Sequence, residues 1–439
     1  MYQYWYRHQY PQWSKNDYRR RACYNCPNNL TDCERPQCIP GDGVVRPIIV
    51  INKQMPGPLI QVCQGDTIVV DVKNNLFEDG ITIHWHGMTM QGPENSPGTP
   101  YMDGVPFLTQ CPIPPDTYFR YSFYVPDAGT YYYHSHAEFQ RGDGLYGGII
   151  VRQPPGEDPN YNTYDFDLPQ HTILVQDWMH KPTIEKFIHM AYGNGSESPE
   201  SMLVNGRGPY QNNNDSSVEA SIPYTRFKVM SGSRYRMRVI SNAILSCPIT
   251  VAVDQHLLTL IASDGWPIIP ITVKSFVIYT GEKWDFVLQA DHKKSGAFWM
   301  SFMGGLDCEN LKAHQFALLV YDGHDDVDDL TLPSNMPPKP EYTVVPPPGL
   351  QVNTFNRACY DDLICVADLR SPYPLPEDIK INKADITLYL AFSINFVDNK
   401  NYYSIKYYDI NSARWEVVKT ASQDLACRGG CVGDSGLIR

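Results

Sequence analysis

Val62-Cys-Gln-Gly-Asp-Thr-Ile-Val-Val-Asp-Val-Lys-Asn-Asn75 carries a pattern, Val-x2-Gly-x6-Val-x2-Asn, that returns with identical spacing in Val229-Met-Ser-Gly-Ser-Arg-Tyr-Arg-Met-Arg-Val-Ile-Ser-Asn242. The offset from Val62 to Val229 is 167 residues. At the same offset Gly129, which opens Gly-Thr-Tyr-Tyr-Tyr-His, falls on Gly296, which opens Gly-Ala-Phe-Trp-Met-Ser. Several matches sharing one offset indicate a duplicated domain. Within each copy, short runs rich in Val, Ile, Tyr and Phe, such as Thr67 to Val72, Phe119 to Val125 and Arg234 to Ile240, alternate with clusters of Gly, Pro, Asn and Asp. That rhythm predicts antiparallel β-sandwiches. One short helix is expected, near Pro182 to Tyr192.

The repeat and the composition divide the chain. Residues 1–43 read as a Cys-rich N-terminal extension, 44–157 as the first sandwich, 165–330 as the second, 331–375 as an acidic and Pro-rich linker, and 376–439 as the start of an incomplete third sandwich. The acidic run Asp325-Asp-Val-Asp-Asp329 leads into the linker, which continues through Pro346-Pro-Pro348 and is expected to be a solvated spacer. With 36 Lys+Arg against 48 Asp+Glu the formal charge is −12, which makes nucleic acid and anionic membrane surfaces poor partners. No apolar run approaches the roughly 18 residues a membrane span needs.

Twelve cysteines, four of them (Cys23, Cys26, Cys33, Cys38) near the N-terminus, read as disulfides in an oxidising compartment or as a zinc site in a reducing one. Three glycosylation sequons, at Asn29, Asn194 and Asn214, favour disulfides and an extracellular, secreted glycoprotein. The opening Met1-Tyr-Gln-Tyr-Trp-Tyr-Arg7 has no apolar signal-peptide core, so the expected signal peptide is not in this sequence.

Four of the 12 histidines form two pairs, His84-Trp-His86 and His134-Ser-His136. Residues two apart on a strand share a face, so each pair aims both imidazoles the same way. A single strand histidine is ordinarily hydrogen-bonded or solvated. Two such pairs within one sandwich point instead to a metal, and imidazole suits Zn, Cu, Fe and Ni alike. The 167-residue offset maps His84 and His86 onto Val251 and Val253, and His134 and His136 onto Ser301 and Met303. The second copy thus keeps the strands and lacks the ligands, as expected if the histidines serve chemistry rather than folding.

At these residues the sequence resembles the multicopper oxidases, in particular the laccase-type enzymes of insects. The resemblance rests on Pro56-Gly-Pro58, Thr82-Ile-His-Trp-His-Gly87, Tyr101-Met-Asp-Gly-Val-Pro106, Thr109-Gln-Cys-Pro-Ile113, Gly129-Thr-Tyr-Tyr-Tyr-His-Ser-His136, Gln140-Arg-Gly-Asp-Gly144 and Gly147-Gly-Ile-Ile-Val151. In the second copy Val239-Ile-Ser-Asn-Ala243, Ala262-Ser-Asp-Gly265 and Gly281-Glu282 add to it. The resemblance implies an all-β chain of tandem cupredoxin-like Greek-key sandwiches. It also implies one-electron oxidation of diphenols or similar aromatic reductants at a type 1 copper, coupled to reduction of O2 to water at a trinuclear cluster. Carried over by position, His84 would ligate the type 2 copper and His86, His134 and His136 the type 3 pair. Asp103 is a candidate proton donor beside the cluster, or simply a turn residue before Gly104. Trp85 is expected in the core, and Cys63 and Cys111 in disulfides.

The chain departs from the family pattern after residue 330. Neither a His-Pro-x-His-x-His nor a His-Cys-His stretch follows His324, and Cys427 and Cys431 have no neighbouring histidine. As written, it is expected to lack the type 1 site and half the cluster ligands, and to be inactive alone. Three other readings stand beside the laccase: a secreted, non-catalytic copper-binding or interaction isoform, a ferroxidase-type oxidase taking a metal-ion reductant, and a zinc enzyme built on the paired histidines.

Overall fold

The computed structural model describes residues 2–5, 38–192, 198–211, 222–291, 296–321, 336–354, 363–375, 377, 388–397, 400–409 and 414–417. The cysteines at 23, 26, 33, 427 and 431, the three sequons and the acidic run 325–329 lie outside them.

The first sandwich is built from β2 (Pro47–Val50), which pairs with β1 (Tyr2–Trp5), and from β3 (Ile60–Cys63), β4 (Thr67–Lys73), β5 (Ile83–His86), β6 (Tyr118–Tyr124), β7 (Gly129–Ser135) and β8 (Tyr146–Arg152). One sheet runs β3-β8-β7-β5, and the ribbon β4-β6 forms the other layer. Alternating residues of both layers fill the space between them: Ile68 and Val72 from β4, Tyr121 and Phe123 from β6, and Ile83, Trp85, Tyr131, Tyr133, Ile149 and Val151 from the sheet. Because side chains alternate along a strand, burying Ile83 and Trp85 obliges His84 and His86 to leave the opposite face.

The second sandwich comprises β9 (Thr172–Trp178), β10 (Ser201–Val204), β11 (Thr225–Val229), β12 (Arg234–Ser241), β13 (Ile249–Val253), β14 (Leu258–Ser263), β15 (Trp266–Val273), β16 (Ser275–Ile278), β17 (Lys283–Gln289), β18 (Ala297–Gly304) and β19 (His314–Tyr321). Its sheets run β10-β9-β12-β17-β14-β15 and β11-β19-β18-β13-β16, the latter extended by β20 (Gln351–Val352) and β21 (Leu363–Ile364). The order β11-β19-β18-β13 reproduces β3-β8-β7-β5, including the parallel first pair, and β12-β17 reproduces β4-β6. The duplication is therefore visible in strand pairing as well as in sequence.

The register corrects one detail. In the first sandwich His84 lies opposite His134, whereas in the second Ser301 lies opposite Ala252, not Val251. Val251 and Val253 face the core instead. One extra residue before β13 shifts it against the 167-residue offset, and a one-residue slip exchanges the faces of a strand. The structural counterpart of His84 is thus Ala252, and the second sandwich still offers no imidazole there.

The Pro-rich segment differs from the expected spacer. Residues 336–354 lie along the second sandwich: the Trp299 indole N–H donates to the Pro337 carbonyl at 2.9 Å, the Tyr342 hydroxyl donates to the Gly304 carbonyl at 2.7 Å, and Met336 and Tyr342 pack on a buried cluster around Trp299. Prolines cannot donate to a ladder, so side-chain hydrogen bonds hold the strap until β20, where backbone pairing with β16 takes over. Beyond it, β22 (Leu388–Val397), β23 (Lys400–Asp409) and β24 (Arg414–Val417) form an antiparallel sheet where strands were expected. The helix α1 (Thr183–Tyr192) also lies where expected, with Thr183 N–H and Oγ1 donating to the Asp143 carboxylate at 2.9 and 2.8 Å.

Two buried contacts lock the sandwiches together. Ile48 and Val50 of β2 share a cluster with Tyr132 and Tyr146 of the first sandwich and Leu174, Trp178, Leu203 and Ile240 of the second. Beside it, the Asp285 carboxylate accepts from Thr130 Oγ1 at 2.6 Å, from Arg236 at 2.6 and 2.9 Å and from Arg238 at 3.1 Å. Arg238 also meets Asp167 at 2.6 Å, which Arg152 of β8 reaches at the same distance.

Candidate metal centre

β5 and β7 are antiparallel neighbours, and their register sets His84 against His134 and His86 against Tyr132. The two pairs predicted from the sequence therefore meet on one face of one sheet. The His84 ring centroid lies 5.3 Å from His86, 5.4 Å from His134 and 5.3 Å from His136. The ligand nitrogens of His84, His86 and His134 fall within 4.8 Å of one another. His136, just beyond β7, adjoins these three at the exposed rim, its ring 6.0 Å from that of His134.

Hydrogen bonds fix which nitrogen of two of the rings is available. His84 Nδ1 donates to the Asp103 carbonyl at 2.8 Å, and His134 Nδ1 donates to the Ser135 carbonyl at 2.7 Å. Each bond places the proton on Nδ1 and leaves the Nε2 lone pair for a ligand. That Nε2 of His134 stands 3.3 Å from His86 Nδ1. Two nitrogens bound to one tetrahedral ion at about 2.0–2.1 Å are separated by roughly this distance, so the donor set fits a metal cation.

The surroundings keep the imidazoles neutral, as metal ligands must be. Burial first, then the Lys283 ammonium, depresses the His86 pKa to about 2. Burial, followed by Arg141, pushes His134 well below the ordinary value, and His136 is lowered mainly by burial. Tyr132, fully buried, stacks on both neighbours, with ring centroids 4.5 Å from His86 and 5.0 Å from His134. Trp85 sits in the core as expected, packed on Tyr121, Phe123 and Tyr133.

Asp103 is a turn residue that also borders the histidines. It closes the 3-10 turn Pro100–Met102, and its carboxylate Oδ1 lies 3.1 Å from His84 Nδ1. Gly104 makes this approach possible: its φ is +79°, and a Cβ there would stand 1.8 Å from the Ile83 carbonyl oxygen. After His136, the turn Gln140–Asp143 is tied back to the site. Ser135 Oγ donates to Gln140 Oε1 at 2.7 Å, and Gln140 Nε2 donates to the Gly80 carbonyl at 3.0 Å. The Arg46 guanidinium reaches the Asp143 carboxylate from the N-terminal side.

The remaining described histidines outside the pairs have local partners. His171 Nε2 bonds the Lys228 carbonyl at 3.0 Å, His180 Nε2 the Asp42 carboxylate at 2.7 Å, His256 Nε2 the Tyr321 hydroxyl at 2.7 Å and His314 Nδ1 the Lys312 carbonyl at 2.6 Å, and the exposed His189 lies 3.9 Å from Glu185 Oε1. Of the two cysteines expected in disulfides, Cys111 is disulfide-bonded, while Cys63 is free and exposed at the end of β3. Cys38 and Cys365 are also disulfide-bonded, and Cys247 pairs with Cys308. Sequence reasoning missed Tyr132 and Lys283 at the site. Tyr132 shares parity with His134 in Tyr131-Tyr-Tyr-His134, which could have found it; Lys283 carried no signal.

Residues 32–156 and 170–324 match the multicopper oxidase family. Laccase-2 of Thanatephorus cucumeris is 35% identical over 311 residues, which cover 69% of this chain and 48% of that protein. An L-ascorbate oxidase of Nicotiana tabacum is 32% identical over 275 residues, covering 59% of this chain and 46% of the relative. The crystal structure of a laccase from Botrytis aclada superposes with a TM-score of 0.58 at 31% identity, covering 70% of this chain and 54% of that one. The chain spans about half the length of the curated relatives it matches.

Proposed function

We propose, from the premise that the chain belongs to the multicopper oxidase family, that it supplies the first two sandwiches and half the cluster ligands of a laccase-type oxidase. It would oxidise diphenols or similar aromatic reductants one electron at a time and pass the electrons to O2. The observation that carries this reading is the set of paired imidazoles on β5 and β7, two of them with Nδ1 tied to a carbonyl. His84, His86, His134 and His136 would hold copper, for which imidazole is a strong ligand. Copper supplies the one-electron redox chemistry when bound. The further ligands that the family resemblance implies belong to a third sandwich.

The chain's own residues prepare the site. The Asp103 carbonyl and carboxylate orient His84, and that carboxylate, 30% exposed, can hold a proton from solvent beside the cluster. Tyr132 and the core-facing Trp85 pin the two strands from either side of the sheet. The second sandwich covers one flank of His86 with Gly281 and Lys283. Secretion is part of the proposal, supported by the disulfide-bonded cysteines. Among the described residues no helix is long and apolar enough to cross a membrane.

Oxygen uptake by the copper-replete protein purified from its source tests this reading. A diphenol should drive uptake, and His134→Ala should abolish it. A protein that binds copper yet consumes no oxygen with a diphenol, ascorbate or ferrous iron would overturn the oxidase reading in favour of a copper-binding role without turnover.

A further inference from the structure

We propose that Lys283, contributed by the second sandwich, is a positioning residue for the metal at His86, its buried ammonium raising that metal's affinity for anions. The proposal deepens the copper-site reading above and rests on it.

Lys283 opens β17, and its side chain is 5% exposed. Its Nζ lies 3.0 Å from Asp264 Oδ1 and donates to the Gly281 carbonyl at 3.4 Å. Gly281 in turn abuts the outer edge of the His86 imidazole: a Cβ on Gly281 would stand 3.1 Å from His86 Cε1 and 3.5 Å from Nε2. At Gly87, directly after His86, a Cβ would stand 3.5 Å from Lys283 Nζ. The ammonium is thus wedged between the two glycines that flank His86 from either domain. Neither glycine leaves room for a side chain that would shield the charge.

The ion pair with Asp264 does not cancel this field at the site. Asp264 is 51% exposed and partly screened by water, whereas Lys283 is sealed against the protein. In a medium of low effective dielectric the ammonium is felt more strongly on the protein side. A fixed positive charge beside a bound cation favours an anionic ligand over neutral water. The second sandwich, which supplies no ligand, would in this way set what the metal binds.

The test uses the full chain loaded with Cu(II) alone and titrated with inorganic azide, following the azide-to-copper charge-transfer absorption. Lys283→Gln should weaken azide binding by roughly tenfold, and Lys283→Arg should leave it within about threefold of wild type. Asp264→Asn, at a half-exposed position where folding is not in question, should strengthen it by about two- to threefold. A merely structural role for Lys283 would change thermal stability without this opposed pair of shifts. Equal azide affinity in wild type, Lys283→Gln and Asp264→Asn would overturn the proposal, as would a Lys283→Arg protein as weak as Lys283→Gln. If Lys283→Gln does not fold, Asp264→Asn alone decides by the direction of its shift. Wild-type protein that takes up no copper would overturn the copper-site reading itself, an outcome distinct from copper-loaded variants that bind azide alike.

Discussion

Gly104→Ala should uncouple His84 from Asp103 without touching either residue. The added Cβ would stand 1.8 Å from the Ile83 oxygen, 2.4 Å from its carbonyl carbon and 2.9 Å from the His84 nitrogen, all backbone atoms of β5. Carbon contacts settle near 3.5 Å, so the loop must retreat by about 1.5 Å. A retreat of that size stretches the His84 Nδ1 to Asp103 carbonyl bond from 2.8 Å to beyond hydrogen-bonding range. Losing the bond costs about 1 kcal/mol, and an alanine at φ +79° adds roughly 1–2 kcal/mol. Loss of a partner that orients a metal-binding histidine typically lowers metal affinity by about 10–100-fold. Equilibrium titration of the chain with Cu(II), alongside a thermal melt, should show both effects. Gly156→Ala is the control, since a Cβ there would meet nothing within 4 Å. Copper affinity and melting temperature unchanged in Gly104→Ala would refute the claim that Asp103 orients His84.

Further expectations concern pH and the domain seam. Burial pushes the Asp177 carboxyl up to about 6 although it accepts N–H bonds from Ile244 and Leu245. A raised carboxyl pKa contributes stability fully present below the unfolded value near 3.8, lost as pH rises through about 6. Wild type should therefore lose roughly 3 kcal/mol relative to Asp177→Asn between pH 4 and pH 8. Denaturant unfolding at both pH values measures it, and parallel profiles would contradict the assignment. Asp285→Ala removes the carboxylate that Thr130, Arg236 and Arg238 share, leaving Asp158 and Asp167 to the two arginines, and should cost about 1.5–3 kcal/mol, seen as a lowered denaturation midpoint; a loss below about 1 kcal/mol would mean the site is solvated.

Much of this architecture was legible before any coordinates, for physical reasons that particular residues illustrate. The repeat from Val62 to Asn75 marks β4 and its flanks, and the same spacing marks β12, because each copy must bury the same alternating face. The histidine pairs were legible because strand parity aligns His84 with His86 and His134 with His136; only the pairing of β5 with β7 could show that the pairs adjoin. The slip that places Ala252 rather than Val251 opposite Ser301 was hidden, since the offset was anchored on strands outside it. The Pro337 and Tyr342 contacts that turn a spacer into a strap depend on Trp299 and Gly304, distant in sequence. Cys63 looked like a disulfide partner by composition alone, and its exposed, unpaired position follows from where β3 ends. Lys283 is one charge among many until folding seals it against His86.

Copper binding by these imidazoles underlies the oxidase function. Electron paramagnetic resonance and metal analysis of the purified chain after loading with Cu(II) and removal of excess ion address that directly. Retained copper with hyperfine coupling to imidazole nitrogen, lost in the double variant His84→Ala with His134→Ala, is the predicted result. Copper that washes away, signals unchanged in the double variant, or stoichiometric zinc retained in its place would contradict it.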